Sequence, residues 1–366
     1  SDFIGSSSVS RLKILNYANL SIFSLGKTSN TSSIQIDGPL SVGGAINLYG
    51  GVVGVNANIT SSNTGNIFIQ ASSSTNPGIH INTGQILKTG GDRSTLTLKS
   101  NNRLTVSNNI TATNTALDVV LWSDYSNNVH GGVTLGQTIV TNGGHVWIGG
   151  SSTANGSLTW NGLTVGDGPS EAGSAYNWNA IGWGNTSINS SGGDVFVWAG
   201  DGYSAGGGKD GIYIDNASSN PSITAGTGTV SLITDIIHGT GLYSLEISSA
   251  KNLNLAPTAG SYNTTGMTAA NTLTLSHNSA ADANFTGDLN YLLINDFDSL
   301  ENVNIGAYAG TGLPGDSTFN ITNSSNITLN SHIKPKGNIS LTGANIAINA
   351  ELNSRLDSTV HINSTG

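Results

Sequence analysis

The chain repeats a long stretch of its own pattern without a gap. Residues 34–70 align with residues 327–363 at a constant offset of 293 positions (337 minus 44). The aligned pairs include Gly44 with Gly337, Ile46 with Ile339, Leu48 with Leu341, Asn56 with Asn349 and Ile69 with Ile362. A chain that restarts its own pattern is typical of a molecule that grows along one axis, because each added unit meets the same surroundings. The sequence therefore predicts an extended, periodic object.

The offset between the two copies changes upstream. A weaker match runs at offset 280 and pairs Ile14 with Ile294 and Gly26 with Gly306. The difference of 13 residues (293 minus 280) predicts an inserted loop around residues 311–323, at one corner of the repeating structure.

The repeat sets the expected domain organisation. We predict that residues 1–366 form a single continuous β-solenoid. Within it, residues 34–326 form approximately one long repeat unit, and residues 327–366 begin the next unit. Because the chain begins and ends inside the pattern, we expect further units to flank it.

Composition excludes several classes of protein. Only 9% of the residues are charged, the net charge is −9, and 12 Lys and Arg residues form no cluster, so a nucleic-acid partner is disfavoured. Cysteine is absent, which excludes thiol catalysis, disulfides and Cys-ligated zinc. No apolar run reaches the roughly 18 residues of a membrane span. We expect no cofactor and no metal site, since the seven His residues lie far apart.

Apolar residues recur at every second position in short runs, which predicts β-strands. The clearest runs are 45–48, 66–69, 96–98, 146–148, 195–197, 212–214, 230–232 and 339–341. Glycine often stands just before such a run, as at Gly65, Gly144, Gly193, Gly228 and Gly337. We expect these glycines to adopt the positive φ of a corner between strands.

Short strands of this kind can form three all-β architectures: a β-sandwich, a β-propeller or a coiled β-helix. The sequence has no blade signature of a propeller and no linker that would divide a long sandwich. The prediction is an all-β fold, a right-handed parallel β-helix (β-solenoid) with loop insertions at coil corners. Coils of about 20–25 residues would give about 15–18 coils and a rod of about 80 Å.

Several segments resemble a known family. The strings GNISLTGANIAINAELNS (337–354) and SSGGDVFVWAGDG (190–202) resemble the repeat regions of filamentous-haemagglutinin-like bacterial adhesins, and ALDVVLWSD (116–124) looks like a module of very large bacterial surface proteins. The resemblance implies an extracellular β-helical stalk or fibre, on the bacterial cell surface or secreted, that mediates adhesion. It implies no catalytic residues.

All six Trp residues fall between positions 122 and 198. Strand alternation directs Trp122, Trp147, Phe196 and Trp198 to the outer face, because their aliphatic neighbours point inward. An aromatic stripe of this kind could stack on sugar rings or on another fibre, so these four residues are the candidate partner or glycan contacts. In the alternative interpretation, a long loop such as residues 166–184 folds over the rings and buries them.

Asn-X-Ser/Thr sequons are frequent, and Asn58, Asn109, Asn326 and Asn338 are the candidate glycosylation sites. Because the chain is rich in Asn, Ser and Thr, chance alone accounts for most of these sequons. Ladders of Asn side chains at coil corners explain the same asparagines.

Two functions remain open. The first is a non-enzymatic, extracellular structural or adhesive fibre or stalk segment of a large bacterial surface protein. Its partners would be other copies or units of the same fibre, together with surface glycans. The second is a β-helical carbohydrate-binding or carbohydrate-cleaving protein. Binding would use the Trp region, and cleavage would need an acidic pair such as one within the group Asp288, Asp296, Asp298 and Glu301. A solvated turn is the simpler explanation of this acidic group, because Leu292 and Ile294 precede a turn-like Asn295-Asp296 pair.

Overall fold

The computed structural model contains strands and no helix in the residues that it describes. These residues are 20–74, 78–128, 131–171, 179–200, 211–214, 221–234, 237–239, 245–249, 251–256, 272–276, 283–285, 292–294, 302–308, 321–322, 326–330, 339–343, 346–348 and 359–364. The predicted all-β class is confirmed.

Three long sheets, here named A, B and C, account for most of the strands. Sheet A contains, in spatial order, β1 (Ile22–Gly26), β4 (Ala45–Gly50), β7 (Ile67–Ala71), β10 (Ser94–Ser100), β13 (Leu117–Trp122), β16 (Val146–Gly149), β21 (Val195–Trp198), β24 (Thr229–Ile233), β27 (Asn252–Ala256), β31 (Asn302–Tyr308), β34 (Ile339–Gly343) and β36 (Val360–Ser364). All of these neighbours pair in parallel, and β32 (Ile321–Thr322) lies antiparallel beside β31.

The strands of sheets B and C alternate along the chain with those of sheet A. Sheet B contains β2 (Ile34–Ile36), β5 (Val53–Val55), β8 (Ile79–Ile81), β11 (Leu104–Val106), β14 (Val133–Leu135), β19 (Ile181–Trp183), β22 (Ile212–Ile214) and β25 (Ile237–Gly239). Sheet C contains β3 (Leu40–Val42), β6 (Ile59–Ser61), β9 (Ile86–Lys88), β12 (Ile110–Ala112), β15 (Ile139–Val140), β20 (Ser187–Asn189), β23 (Ser222–Thr224), β26 (Leu245–Ser249), β30 (Leu292–Ile294) and β29 (Ala283–Phe285), the last antiparallel to β30.

Two smaller groups complete the strands. A hairpin pairs β17 (Ser157–Trp160) with β18 (Leu163–Gly166) in antiparallel fashion. A three-stranded parallel sheet contains β28 (Thr272–Ser276), β33 (Asn326–Asn330) and β35 (Ile346–Ile348).

From β1 to β16 the chain visits sheets A, B and C in strict rotation, and each return adds one parallel strand to each sheet. We call one such rotation a coil. This order of long parallel sheets is consistent with a β-helix or β-solenoid.

The core is built from residues that share a register across coils. Ile46 pairs with Ile67, Ile67 with Leu96, and Leu96 with Val119, and all of these side chains are buried. Their strand neighbours alternate to the other face, as the period of two predicts. Each buried aliphatic side chain stabilises the fold by about 1.5–3 kcal/mol, so the core gains a similar increment with every coil.

The glycines before the strands serve a different purpose from the one expected. Gly65, Gly144, Gly193 and Gly228 are not among the residues with positive φ. A Cβ on Gly193 would stand 2.0 Å from the carbonyl oxygen of Gly144, one coil earlier, and a Cβ on Gly228 would stand 2.1 Å from that of Gly193. The expectation of a left-handed corner was therefore wrong, because close contact between successive coils is what requires glycine here. Gly337 lies outside the described residues.

Coil length varies more than the sequence suggested. Ile46 and Ile67 are 21 positions apart (67 minus 46), whereas Val146 and Val195 are 49 apart (195 minus 146). Insertions such as the hairpin lengthen individual coils. The main path of sheet A consequently has twelve strands within the described residues, fewer than the 15–18 coils expected.

The two ends of the long repeat share strand registers. Ile46 pairs with Ile67, and Ile339 pairs with Val360, again 21 positions apart (360 minus 339). In the same way, β2 pairs with β5 through Ile34 and Val53, and β33 pairs with β35 through Ile327 and Ile346. Both pairs span 19 positions (53 minus 34, and 346 minus 327).

Candidate functional site

The four candidate contact residues lie on the outer face of sheet A. Val195 and Val197 belong to the central core, and the ring of Phe196 between them belongs to a second group of buried side chains on the other face. We call this group the aromatic cluster. Its members are Val120, Trp122, Tyr125, Trp147, Trp160, Leu163, Val165, Phe196, Trp198 and Ile233.

The rings are buried instead of exposed. The exposed fraction is 3% for Trp122, 0% for Trp147 and Phe196, and 5% for Trp198. The predicted outward direction is therefore correct, but the predicted exposed stripe is not formed. In this structure the four side chains offer no open contact surface to a glycan or a second fibre.

The cover is the hairpin β17–β18, which precedes the loop named in the alternative interpretation. Trp160, Leu163 and Val165 point into the aromatic cluster, while Thr159 and Thr164 are exposed. The Trp160 and Phe196 ring centroids lie 5.8 Å apart. The hairpin thus forms a second layer over sheet A and removes the rings from solvent.

The hairpin has a strong local signal that the sequence analysis missed. Its two turn residues, Asn161 and Gly162, have φ values of 47° and 77°. Positive φ at both positions defines a type I′ turn, for which Asn-Gly is a preferred pair. Alternating residues flank this pair on both sides, so a search for two-residue hairpins would have found it.

The indole N–H groups of the aromatic cluster differ in their hydrogen bonding within the described residues. The indole Nε1 of Trp122 donates to Ser151 Oγ at 2.8 Å, but Trp147 Nε1 is buried with no hydrogen bond to the described residues. A buried donor without an acceptor costs about 1–3 kcal/mol. Exposure to water would provide the acceptor that the described residues do not offer to Trp147 Nε1.

A group of polar side chains lies at the tip of the hairpin. Asn161 donates from Nδ2 to Asp194 Oδ2 at 2.7 Å and to His145 Nδ1 at 3.2 Å. His145 also contacts the edge of the Trp160 ring, with centroids 5.7 Å apart. Burial, the largest effect, lowers the pKa of His145 despite the opposing influence of Asp194. We call Asn161, His145 and Asp194 the tip contacts.

Asp118 connects this region to an earlier coil. Its carboxylate accepts two hydrogen bonds from the Arg93 guanidinium, at 2.6 and 2.7 Å, and one from the backbone N–H of His145 at 2.7 Å. The hydrogen bond to Asp118 raises the pKa of Arg93. Because Asp118 is buried, these three donors are what make its charged form tolerable there.

Sheet A is open before the hairpin begins. Tyr49 and Phe68 are half-buried on its outer face, with ring centroids 5.6 Å apart. Gln70 follows on the same face, and Lys99 lies 4.0 Å from the centroid of the Trp122 ring. Burial lowers the pKa of Lys99. We call Tyr49, Phe68, Gln70 and Lys99 the open face.

Two of the candidate glycosylation sites have structural roles in the backbone ladder. Asn58 Oδ1 accepts the backbone N–H of Gln85 at 3.0 Å, and Asn109 Oδ1 accepts that of Thr138 at 3.2 Å, each one coil later. Asn326 begins β33, and Asn338 lies outside the described residues. Asn58 and Asn109 therefore connect successive coils through side-chain to backbone hydrogen bonds, which differ from the ladder of stacked Asn side chains that we considered as the alternative.

Comparisons with protein-family models, with curated proteins and with solved structures found no match to this chain. Function has to be argued from the residues themselves.

Two further tests concern metal and membrane. In the part of the chain that the structure describes, no three His, Asp or Glu side chains come together as a metal site. Within those same residues, no helix has the length and apolar character needed to cross a membrane. The acidic residues Asp288, Asp296, Asp298 and Glu301 all lie outside the described ranges.

Proposed function

We propose that this chain is a structural and adhesive segment of an extracellular fibre or stalk, part of a large bacterial surface protein. The observation that carries the proposal is the uninterrupted parallel pairing of sheet A, which runs from β1 to β36. A sheet that adds one strand per coil lengthens the molecule along a single axis, as a stalk requires.

The proposal includes a right-handed β-solenoid. Connections between parallel strands of one sheet are right-handed in nearly all proteins, because a right-twisted strand packs its crossover back onto the sheet only in that sense. The rotation through sheets A, B and C consists of such connections. Right-handed coiling is therefore the expected arrangement.

Side-chain hydrogen bonds between coils support a mechanical role. Asn56 donates to Asp37 Oδ1 at 2.8 Å, Asn82 donates to Asn56 Oδ1 at 3.2 Å, and Asn108 donates to the carbonyl of Thr83 at 2.8 Å. These bonds run along the axis beside the backbone ladder. A fibre under tension benefits from such bonds, because each coil is attached to the next through both backbone and side chains.

The surface and the family resemblance support the location and the partners. A charged fraction of 9% reduces repulsion between neighbouring fibres, so other copies of the chain are suitable lateral partners. The resemblance of residues 190–202 and 337–354 to filamentous-haemagglutinin-like repeats favours export to the bacterial surface.

Electron microscopy of the purified chain tests the shape. Twelve strands in sheet A at about 4.8 Å per strand predict a rod of about 55 Å. Antibody labelling of intact source cells tests the location. A compact, nearly spherical particle would contradict the solenoid, and labelling only after cell lysis would contradict the surface location.

A second candidate function, carbohydrate binding, is favoured by the open face. Tyr49 and Phe68 provide neighbouring aromatic rings for stacking. The Gln70 amide, which already hydrogen-bonds Tyr125, has further donor and acceptor capacity for sugar hydroxyls. Glycan-array binding of the Phe68→Ala variant tests it, with Thr105→Ala on sheet B as the control. Loss of retained glycans only in Phe68→Ala would support carbohydrate binding. Retention of no glycan by the unsubstituted chain would eliminate it.

A further inference from the structure

The imidazole of His145 holds the tip of the hairpin as a hydrogen-bond acceptor. Its Nδ1 atom accepts the backbone N–H of Asp194 at 2.9 Å, across a separation of 49 residues. A backbone N–H can only donate, so Nδ1 carries a lone pair and the proton of the neutral ring lies on Nε2. The Asn161 side chain, 3.2 Å from the same Nδ1, then donates through its amide N–H.

Asn161 is therefore attached to the body of the protein by two acceptors. The second is Asp194 Oδ2, at 2.7 Å. Each acceptor residue lies immediately before a strand of sheet A, whereas Asn161 is the first residue of the hairpin turn. The tip contacts thus connect the hairpin to two successive coils.

We propose that the hairpin β17–β18 is an acid-released cover of the aromatic cluster, and that protonation of His145 is the trigger. A proton on Nδ1 converts the acceptor into a donor. The Nδ1–H group would then face two other N–H donors, from Asp194 and Asn161, and both hydrogen bonds would be lost. Because Asn161 lies at the tip of the hairpin, loss of its hydrogen bond to His145 weakens the docking of the hairpin onto sheet A.

Charged groups around His145 shape this response. Asp194 Oδ2 lies 3.7 Å from Nδ1, so protonated His145 attracts the same oxygen that Asn161 uses. Asp118 accepts the His145 backbone N–H and also favours the charged ring, whereas Arg93, bound to Asp118, opposes it. The hairpin itself contributes only the neutral Asn161 and the edge of Trp160 to this environment.

The direction of the pH effect follows from the environment of the ring. Burial is the largest influence, and the pKa of His145 in the docked state lies below its usual value of 6.5. Release exposes the ring and returns its pKa toward 6.5. Docking is therefore fully favoured above pH 6.5, and it weakens as the pH falls through the docked pKa. Each unit of difference between the two pKa values changes the docking equilibrium about tenfold.

Release would uncover a specific surface. Trp147 and Phe196 are 0% exposed under the hairpin, and Trp147 Nε1 has no acceptor among the described residues there. In the released state, water would satisfy that donor. This inference does not depend on the proposed fibre function, because it concerns only the hairpin and its contacts.

Hydrogen–deuterium exchange of the full chain tests the proposal between about pH 7.5 and about pH 5, the range in which histidine titrates. After correction for intrinsic exchange rates, protection of residues 157–166 should fall by about tenfold per unit of pKa difference, with a midpoint below pH 6.5. Protection of β10 should stay constant, and tryptophan emission should shift to longer wavelength. His145→Gln, which retains an acceptor but does not titrate, should abolish the pH dependence.

The matched control is His80→Gln. His80 is also half-buried with a lowered pKa, but it lies on sheet B, away from the hairpin, and pairs with Ser107. This variant should show the same hairpin response as the unsubstituted chain. The proposal is overturned if residues 157–166 show no pH response, if His145→Gln responds like the unsubstituted chain, or if β10 loses protection together with the hairpin.

Discussion

Asp118 accepts the backbone N–H of His145 at 2.7 Å, one coil farther along sheet A, while the same carboxylate binds Arg93. A buried charged acceptor with three donors is a strong attachment between coils. We expect Asp118→Ala to lower the free energy of unfolding by about 2–3 kcal/mol, because the His145 N–H loses its acceptor. Urea unfolding measures the change.

Asp118→Asn separates the two roles of this carboxylate. It keeps an acceptor for His145 but loses the charge that faces Arg93, whose side chain is 46% exposed. Because exposed pairs contribute little, we expect a smaller loss than in Asp118→Ala. Asp92→Ala, at an exposed neighbouring carboxylate, should change stability by less than about 0.5 kcal/mol. Equal losses in the three variants would refute this assignment.

Gly193→Ala should be among the most damaging small substitutions in the described residues. Its Cβ would stand 2.0 Å from the Gly144 carbonyl oxygen, and backbone cannot move aside as a side chain can. We expect a loss of more than about 3 kcal/mol, or failure to fold, since overpacking at backbone is not relieved by a rotamer change.

Gly38→Ala is the matched control for this prediction. No heavy atom lies within 4 Å of a Cβ at Gly38, and its φ is not positive. Thermal unfolding of both variants gives the comparison, and Gly38→Ala should stay within about 0.5 kcal/mol of the unsubstituted chain. A stable Gly193→Ala protein would mean that the Gly144 carbonyl does not lie close enough to Gly193 to exclude a Cβ.

Trp160→Ala should open the aromatic cluster without unfolding the sheets. Trp160 supplies the largest side chain of the hairpin, and its ring packs at a tilt against that of Phe196. Its removal costs the hairpin about 3–5 kcal/mol of packing. We expect increased binding of a hydrophobic dye and loss of exchange protection confined to residues 157–166.

The control for Trp160→Ala is Thr164→Ala on the exposed face of the same hairpin. It changes the strand composition but removes nothing from the aromatic cluster, so dye binding should not rise. Increased dye binding in both variants would show that the hairpin is held by its strand pairing and not by the buried indole.

Asn109 allows the structural role of a sequon to be separated from glycosylation. Its Oδ1 atom accepts the Thr138 N–H at 3.2 Å. Asn109→Ala should lose about 1 kcal/mol, whereas Asn109→Asp retains an acceptor and should lose less. Both substitutions abolish the sequon, so equal losses measured in chain purified from the source would point to an attached glycan instead.

The strands were predictable from sequence because their signal is local. Each of the eight strongest alternating runs coincides with a strand, including 45–48 in β4 and 339–341 in β34, although the run 66–69 begins one residue before β7. Each run needs only its own residues to show a buried and an exposed face. The all-β class followed from the same alternation, whereas the parallel arrangement was predicted from the long repeat and from the absence of propeller and sandwich signals.

The cover over the aromatic rings was harder to predict, since it depends on contacts between distant residues. Asn161 and Asp194 meet across 33 positions, and His145 and Asp194 across 49, because an insertion lengthens that coil. Alternation gave the side of the sheet on which Phe196 lies. It could not say whether another layer would lie above that side.

The glycines illustrate the same limit. Gly193 lies just before a strand, where turns are common, so a left-handed corner was a reasonable expectation. Glycine is required there instead because the backbone one coil earlier leaves no space for a Cβ. That neighbour is Gly144, 49 positions earlier (193 minus 144). The distance between coils depends on how distant parts of the chain pack together, so no short stretch of sequence reveals it.

The hairpin also has a mechanical consequence for the stack. Through the aromatic cluster it gathers Val120, Trp147, Phe196 and Ile233, which come from the four consecutive strands β13, β16, β21 and β24. In a repeat structure each coil usually contacts only the coil before it and the coil after it, so a terminal coil can unfold by itself. When the chain is pulled from its ends, the flanking coils should therefore detach first, and this clamped block should rupture last and as one unit.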